Sequence, residues 1–308
     1  MSTDASGPLT RVYIDGYNLY YGCLKRSHDK WLNPLALIDH VIRTSFSSDD
    51  GAPRPYRLAP LALKFFTAPI LPKLAKANDS LACQTAYHQA LAGHLGDAIQ
   101  VIKGYYDLRP VRARQVIEGV DIPDSPLIDI WKVEEKQSDV SLALHAYRDV
   151  VKGDVGHVVI VSNDTDMAPC FQMIKNEGAA TLGLVVPTRH RQRSPNGDLS
   201  RLADWTRSSI LDSELAAAHL PNMVRWNDKA VHRPISWYPR PDLLEPILIE
   251  ATRVRRSRGG ALKWLNSAQA HLGGRVPIEM TSTEEEADEL RAYMDRYADD
   301  FGLKVARF

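Results

Sequence analysis

Short apolar runs that end abruptly in acidic, turn-forming residues set the pattern of this chain. Val12, Tyr13 and Ile14 run straight into Asp15-Gly16, and His157–Val161 run into Ser162-Asn163-Asp164-Thr165-Asp166. Neither run alternates apolar with polar residues, as expected of central parallel strands covered on both faces. Residues 61–70 give another buried strand, ended by Pro69 and Pro72, and ATLGLVVP gives a last one, ended by Pro187. Residues 100–117 read as strand material, with a hairpin possible. Helical spacing lies between these runs. Leu19, Tyr20, Cys23 and Leu24 follow the first strand; Asn33 and Pro34 form a cap and first turn; Ala86, Ala90, Leu91 and Leu95 share one side of a helix over 84–95. Ser138 is a plausible N-cap for a helix with Val140, Leu144 and Tyr147 on one stripe, and residues 169–178 form a crossover helix stopped by Gly178. This alternation predicts an α/β fold with a doubly wound parallel sheet.

From Pro221 the texture changes. Residues 231–242 are rich in Pro and Trp, and the C-terminal stretch beyond them has helical periodicity without a long strand run. The predicted organisation is a disordered lead-in over 1–10, a main domain over 11–222, a linker over 223–242 and a small helical domain over 243–308. Lys+Arg and Asp+Glu each number 38, so bulk positive charge does not bind nucleic acid and only local basic patches remain. Three cysteines without CxxC spacing indicate a reducing compartment and neither disulfide framework nor zinc site. The polar N-terminus is no signal peptide, and no stretch approaches the roughly 20 apolar residues of a membrane span. A cytoplasmic protein is expected.

In open α/β sheets ligands bind at the carboxyl ends of strands, where the strand order reverses. If the strands ending in Asp15 and Val161 are neighbours, Asp15, Asp164 and Asp166 face one crevice. Unpaired carboxylates that close repel one another unless a cation lies among them. Asp139, in the first turn of its helix, is a further acid of the right chemistry. Such a set is suited to metal-assisted phosphodiester hydrolysis, in which Mg²⁺ or Mn²⁺ lowers the pKa of a bound water and stabilises the oxyanions that form. An Asp after a strand can equally be a plain turn or cap residue.

Three motifs carry a family likeness. DGYN at 15–18, EKQSD at 135–139 and SNDTDM at 162–167 together resemble the NYN domain, a branch of the PIN-like ribonucleases, over roughly residues 10–220. The resemblance implies a PIN-like doubly wound parallel sheet, with Asp15, Asp139 and Asp164 holding the metal and Asp166 beside them. It also implies that Asn18 orients substrate or a metal-bound water and that Ser162 fixes the loop. Many NYN chains carry an Asp six residues after the helix acid, where this chain has His145. That position lies about 120° around the helix from Asp139, so His145 is read as a packing neighbour more than a ligand. Asp149, roughly 15 Å along the helix, is read as a solvated or structural acid. Lys136 either neutralises phosphate, braces Asp139 or is an exposed charge, and Glu135 is a weaker candidate for a fourth acid.

An RNA path needs cations for phosphates and flat rings for bases. Lys103, Tyr105, Tyr106, Arg109, Arg112 and Arg114 offer both, and Arg189, Arg191 and Arg193 add a basic loop. The alternative is that the tyrosines pack and the arginines solubilise. Towards the C-terminus, Trp264-Leu265, Leu272-Gly273-Gly274 and Pro277, followed by an acidic amphipathic helix, resemble the toxin-binding domain of Xre/MbcA/ParS-type antitoxins over 260–300. That likeness implies a protein partner or self-association. The expected function is a metal-dependent ribonuclease. The rivals are a non-catalytic NYN-like scaffold binding RNA or protein, and a divergent enzyme using the same edge on a small molecule. No GxGxxG fingerprint or P-loop points to a nucleotide cofactor.

Overall fold

A computed structural model describes residues 7–48, 50–75 and 77–300, with side chains through residue 296. The chain opens with β1 (Leu9–Asp15), the short α1 (Gly16–Leu19) and a π-helical turn over Tyr20–Leu24, followed by α2 (Pro34–Ser45) and β2 (Arg57–Thr67). Next come α3 (Ser80–Leu95), β3 (Ile99–Lys103), β4 (Tyr105–Arg114), β5 (Leu127–Lys136) and α4 (Ser138–Val151). After these lie β6 (His157–Val161), α5 (Ala168–Glu177), β7 (Thr181–Val185), α6 (Gly197–Leu202), β8 (Trp205–Arg207) and α7 (Asp212–Ala217). The last elements are β9 (Met223–Trp226), β10 (Lys229–His232), α8 (Pro241–Arg255), α9 (Arg258–Leu265) and α10 (Glu284–Asp300).

Six strands form one parallel sheet in the order β3-β2-β1-β6-β7-β8. Winding proceeds outward from β1 in one direction and from β6 in the other, so the switch point falls between them. Period-two alternation divides β1 between the two faces. Val12 and Ile14 pack with Leu37, Ile38, Val41 and Ile42 of α2, while Tyr13 packs with Leu142 and Ala146 of α4 and Phe171 of α5. α2 starts where the sequence placed it: Asn33 Oδ1 accepts from Ala36 N at 3.1 Å, and Pro34 occupies the first turn. Gly16 is required where β1 turns into α1, because a Cβ there would lie 2.6 Å from the Phe66 carbonyl oxygen.

Several expectations are corrected. The lead-in ends earlier than residue 10, because Leu9 and Thr10 already pair with Arg57 and Leu58; residues 1–6 lie outside the described residues. Residues 100–117 divide in two: β3 joins the sheet, and β4 leaves it to pair antiparallel with β5 in a long hairpin. The stripe read on α4 is not its packing face. Val140 and Leu144 are 65% and 62% exposed, and Leu142, Ala146, Asp149 and Val150 are buried instead. The stretch expected to be a linker holds the β9–β10 hairpin, whose Val224 and Val231 pack with Trp31, Tyr87 and Leu91. Beyond it α8, α9 and α10 enclose an apolar centre of their own around Leu244, Ile247, Leu265 and Leu290. No described helix is long and apolar enough to cross a membrane.

Candidate active site at the carboxyl edge

β1 and β6 run in register with Ile14 opposite Val161, so the next residue of each, Asp15 and Ser162, emerge side by side at the switch point. Asp15 is 4% exposed and caps α1. One of its oxygens accepts from Asn18 N at 2.9 Å, and the other accepts from Asn18 Nδ2 at 2.6 Å and from Ser162 Oγ at 3.0 Å. Burial raises its pKa, the donors from Asn18 and Ser162 pull it back down, and the charge on Asp164 raises it further. The Ser162 hydroxyl also accepts from Asp164 N at 3.2 Å, which ties the two acidic segments together. Asp164 in turn caps the next turn by accepting from Asp166 N at 3.0 Å.

The third acid arrives from the hairpin. β5 ends at Lys136, and Gln137 then takes a left-handed conformation, with φ of 80°, before α4 begins. A non-glycine residue in that region costs about 1–2 kcal/mol and turns the chain sharply into the helix. The Ser138 hydroxyl donates to Glu135, closing the corner. Asp139 therefore stands in the first turn of α4, facing the strand ends. Its pKa is raised to about 6, first by burial and then by Asp15, Asp164, Glu135 and Asp166. The charges that shift it are all carboxylates. Glu135 is itself raised, by burial first and also by Asp15.

A wall of tyrosines borders these acids. The Tyr17 and Tyr21 rings lie 4.3 Å apart, Tyr20 meets Tyr21 edge-on at 5.3 Å, and Lys25 Nζ stands 4.2 Å over the Tyr21 ring. Tyr106, opposite Glu135 in the hairpin, has its pKa pushed up to about 12 by burial and by Tyr21, Tyr17, Glu135 and Tyr20, which places it beside them. The sequence reading missed Tyr17, Tyr20 and Tyr21. Their i, i+3, i+4 spacing directly after Asp15 was the available signal.

Other expected residues lie elsewhere. Arg189 is locked into the protein by Asp29 at 3.0 Å and Asp212 at 2.7 Å, so it fastens its loop and is not available to substrate. Arg191 is exposed at the tip of that loop with φ of 53°. Lys136 pairs with Glu134 at 2.9 Å. In the hairpin Arg109 faces Asp107 and Glu134, and Arg114 donates to the carbonyls of Pro123 and Ser125, so their charges are used within the hairpin. His145 contacts Lys64 Nζ at 3.3 Å and the Phe66 ring, which agrees with a packing role. Asp149 is not solvated. It is 2% exposed and accepts from Arg11 and Lys64 at 2.6 Å each and from Tyr13 at 2.7 Å.

Among the described residues no three His, Cys, Asp or Glu side chains form a ready-made metal cage. Asp15 is committed to Asn18 and Ser162. Asp139, Asp164 and Asp166 remain as oxygen donors in a field that is negative throughout. That donor set fits a hard divalent cation held by one or two carboxylates and completed by water and substrate oxygens, the usual manner for Mg²⁺.

A doubly wound parallel sheet with acids gathered at its switch point defines a PIN-like, nuclease-type fold. The chain belongs to the NYN domain family, which it matches over residues 10–209. Residues 251–299 match the antitoxin Xre/MbcA/ParS C-terminal toxin-binding domain. Over 297 residues the chain is 42% identical to the 6-hydroxy-3-succinoylpyridine 3-monooxygenase HspA of Pseudomonas putida, covering 94% of this chain and 95% of that protein. A solved structure of a Vibrio parahaemolyticus protein of unknown function aligns with a TM-score of 0.38 at 17% identity, over 69% of this chain and 98% of that one. That likeness is too distant to bear on function.

Proposed function

We propose that the carboxyl edge is an enzyme active site and that its reaction is hydrolysis of RNA phosphodiester bonds assisted by Mg²⁺ or Mn²⁺. The observation that carries this reading is the meeting of Asp15, Asp139 and Asp164, from two strand ends and a helix start, with Asp139 raised to about 6 by burial and the carboxylates around it. Asp139 and Asp164 would hold the cation, with Asp166 beside them and Asp15 beneath. Once bound, a cation there lowers the pKa of the attacking water and offsets charge on the phosphate oxygens. The chain's own residues set the frame. Asn18 and Ser162 orient Asp15 by donating to both of its oxygens, and Tyr17, Tyr21 and Tyr106 present ring faces on which bases stack. Arg191 supplies an exposed cation for phosphate on a nearby loop, whereas Arg189 and Lys136 hold the scaffold. The purified protein should cut single-stranded RNA with Mn²⁺ and stop cutting in chelator or as Asp164→Asn. Cutting that survives both defeats the mechanism.

The identity to the monooxygenase, which spans both domains, supports a second reading: the same edge hydroxylates a small hydroxypyridine-type acid with O₂ and a reductant. The tyrosine wall would then stack a single flat ring. One preparation discriminates the two when given RNA with Mn²⁺ in one tube and 6-hydroxy-3-succinoylpyridine, labelled O₂ and reduced nicotinamide in another. Labelled product without RNA cleavage selects the oxygenase; absence of both products selects a binding scaffold. The match over 251–299 supports a protein partner for the helical domain.

A further inference from the structure

Beyond its base at the acidic edge, the hairpin of β4 and β5 is an arm. No other described strand pairs with either of its members, and none of its residues joins an apolar centre of the fold. Of residues 105–136 only Ser125 is buried. Each strand is ten residues long, about 33 Å at 3.3 Å per residue. A two-stranded hairpin by itself is marginally stable in water and needs a third strand or a covered face. This one leaves ten large apolar residues in the open, from 38% exposed at Ile117 to 98% at Val116, with Trp131 at 69%. At roughly 100 Å² for half of such a residue, the arm offers on the order of 1,000 Å² of apolar surface, spread over two faces and the tip. The largest apolar patch of a typical monomer is about 300–600 Å².

Two observations bear on what covers it. The first is charge. Residues 105–136 carry five Lys and Arg against seven Asp and Glu, a balance that attracts neither RNA nor an anionic membrane surface. The second is the pairing across the hairpin. On the face that bears Trp131, directly opposite residues are Leu108 and Val133, Pro110 and Trp131, and Arg112 and Asp129. Two of these pairs are apolar and one is of opposite charge. A twofold axis along the outer part of the arm, relating two such faces, lays each strand over the other strand of the second copy. Trp131 then meets Pro110, Leu108 meets Val133 and Arg112 meets Asp129, now between copies. The face is self-complementary, as an isologous contact requires. Within one hairpin Arg112 and Asp129 approach only to 4.0 Å and both stay largely exposed, so each can take a second partner.

We propose that this arm joins two copies of the chain, packed face to face through Trp131 and its neighbours. If half of the exposed apolar surface of each arm is covered, the contact buries about 1,000 Å² in total, the lower bound for a specific interface. Such a dimer forms in the micromolar range and is not permanent. The inference is independent of the reaction carried out at the carboxyl edge.

The test is sedimentation velocity of the full-length protein from about 1 to 100 μM, across which an interface of this size should turn monomer into dimer. Trp131→Glu should weaken the dimer at least about tenfold, because a central aromatic contact is lost twice. Asp129→Arg alone and Arg112→Asp alone should each weaken it about tenfold by setting like charges against each other. An equimolar mixture of those two variants should dimerise again, since both opposite-charge pairs are restored between copies; a role within one hairpin would not be rescued by mixing. All three side chains are exposed, so each variant should melt like the parent at a concentration where the parent is monomeric. A protein still monomeric at about 100 μM, a dimer unmoved by Trp131→Glu, or a mixture no tighter than its components overturns the proposal.

Discussion

Asp139→Asn is expected to make the fold more stable while abolishing the chemistry of the edge. In the folded chain burial and the carboxylates around it raise this pKa from 3.8 to about 6. At 1.36 kcal/mol per pKa unit, that difference is about 3 kcal/mol of unfavourable interaction once the group is ionised. The side chain is only half-buried, and water screens its neighbours, which leaves about 1–2 kcal/mol. The α4 dipole opposes this, since an anion in the first turn is favoured by about 0.3–1 kcal/mol. Burial of the charge together with repulsion from several carboxylates outweighs one helix terminus, so a net gain of about 1 kcal/mol is expected on removing the charge. The sign with pH is set by proton uptake. Between pH 3.8 and about 6 the unfolded chain has released this proton and the folded chain has not, so parent stability falls as pH rises through that window. Asparagine never ionises, so the gain should be full near pH 8 and absent below about pH 4. Urea denaturation of parent and variant at both ends of the window measures it. A variant less stable than the parent near pH 8, or a gain that persists unchanged in acid, refutes the reasoning.

His157 works in the opposite direction. It is buried as the neutral ring, with Nε2 accepting from Trp205 Nε1 at 3.0 Å and Nδ1 facing Thr10 Oγ1 at 3.0 Å, and burial lowers its pKa to about 4. Below its unfolded value of 6.5 only the unfolded chain takes up the proton, so acidification towards pH 4 should cost up to roughly 3 kcal/mol. Relative to the parent, His157→Gln should show a flatter urea midpoint across that window. Asp149→Asn leaves Arg11 and Lys64 buried beside a neutral group and should cost about 3–5 kcal/mol, read as a large drop in melting temperature. Tyr17→Ala with Tyr21→Ala should weaken single-stranded RNA binding by about 1–3 kcal/mol per lost stacking contact while the melting temperature holds. Unchanged affinity would remove the tyrosine wall from the binding surface.

Only local features were legible in the sequence. The runs at 12–14 and 157–161 are continuous and rich in β-branched residues, and each delivers its acid within a few residues of the strand end, so both strands and their chemistry were readable from short windows. β8 is three residues long, too short to carry a period. β5 carries no clean alternation, since Ile128, Ile130 and Lys132 on one face and Asp129, Trp131 and Val133 on the other each mix apolar and charged residues, and both faces of the hairpin lie open. The packing face of α4 was misread because it contains Asp149, which counts as polar in any periodicity. Its burial depends on Arg11 and Lys64, 138 and 85 residues away in sequence. Arg189 was misread for the same reason, since its partner Asp29 lies 160 residues distant. Charge pairing across the fold is invisible to a window, whereas an apolar run is not.

The same distant pairing explains how mutually repelling acids stay in place. α4 is held at both ends. At its start the Glu135–Ser138 contact and the left-handed Gln137 fix the direction in which the helix leaves β5. Towards its end Asp149 is bound by side chains from the two strands beneath it, Arg11 and Tyr13 from β1 and Lys64 from β2. Breaking a buried pair of that kind costs about 3–5 kcal/mol, whereas burial and repulsion together cost the Asp139 charge about 1 kcal/mol net. The clamp exceeds the repulsion, so the helix does not slide away to relieve it, and Asp139 remains opposite the β1 and β6 ends. Asp149→Asn should therefore harm the edge without touching it. With α4 loosened, Asp139 can move away from Asp15 and Asp164, and its pKa should fall from about 6 towards 3.8. Carboxyl titration followed by NMR in the Asp149→Asn protein measures this directly. An Asp139 that still titrates near 6 would show that the hairpin corner alone holds the acid in place.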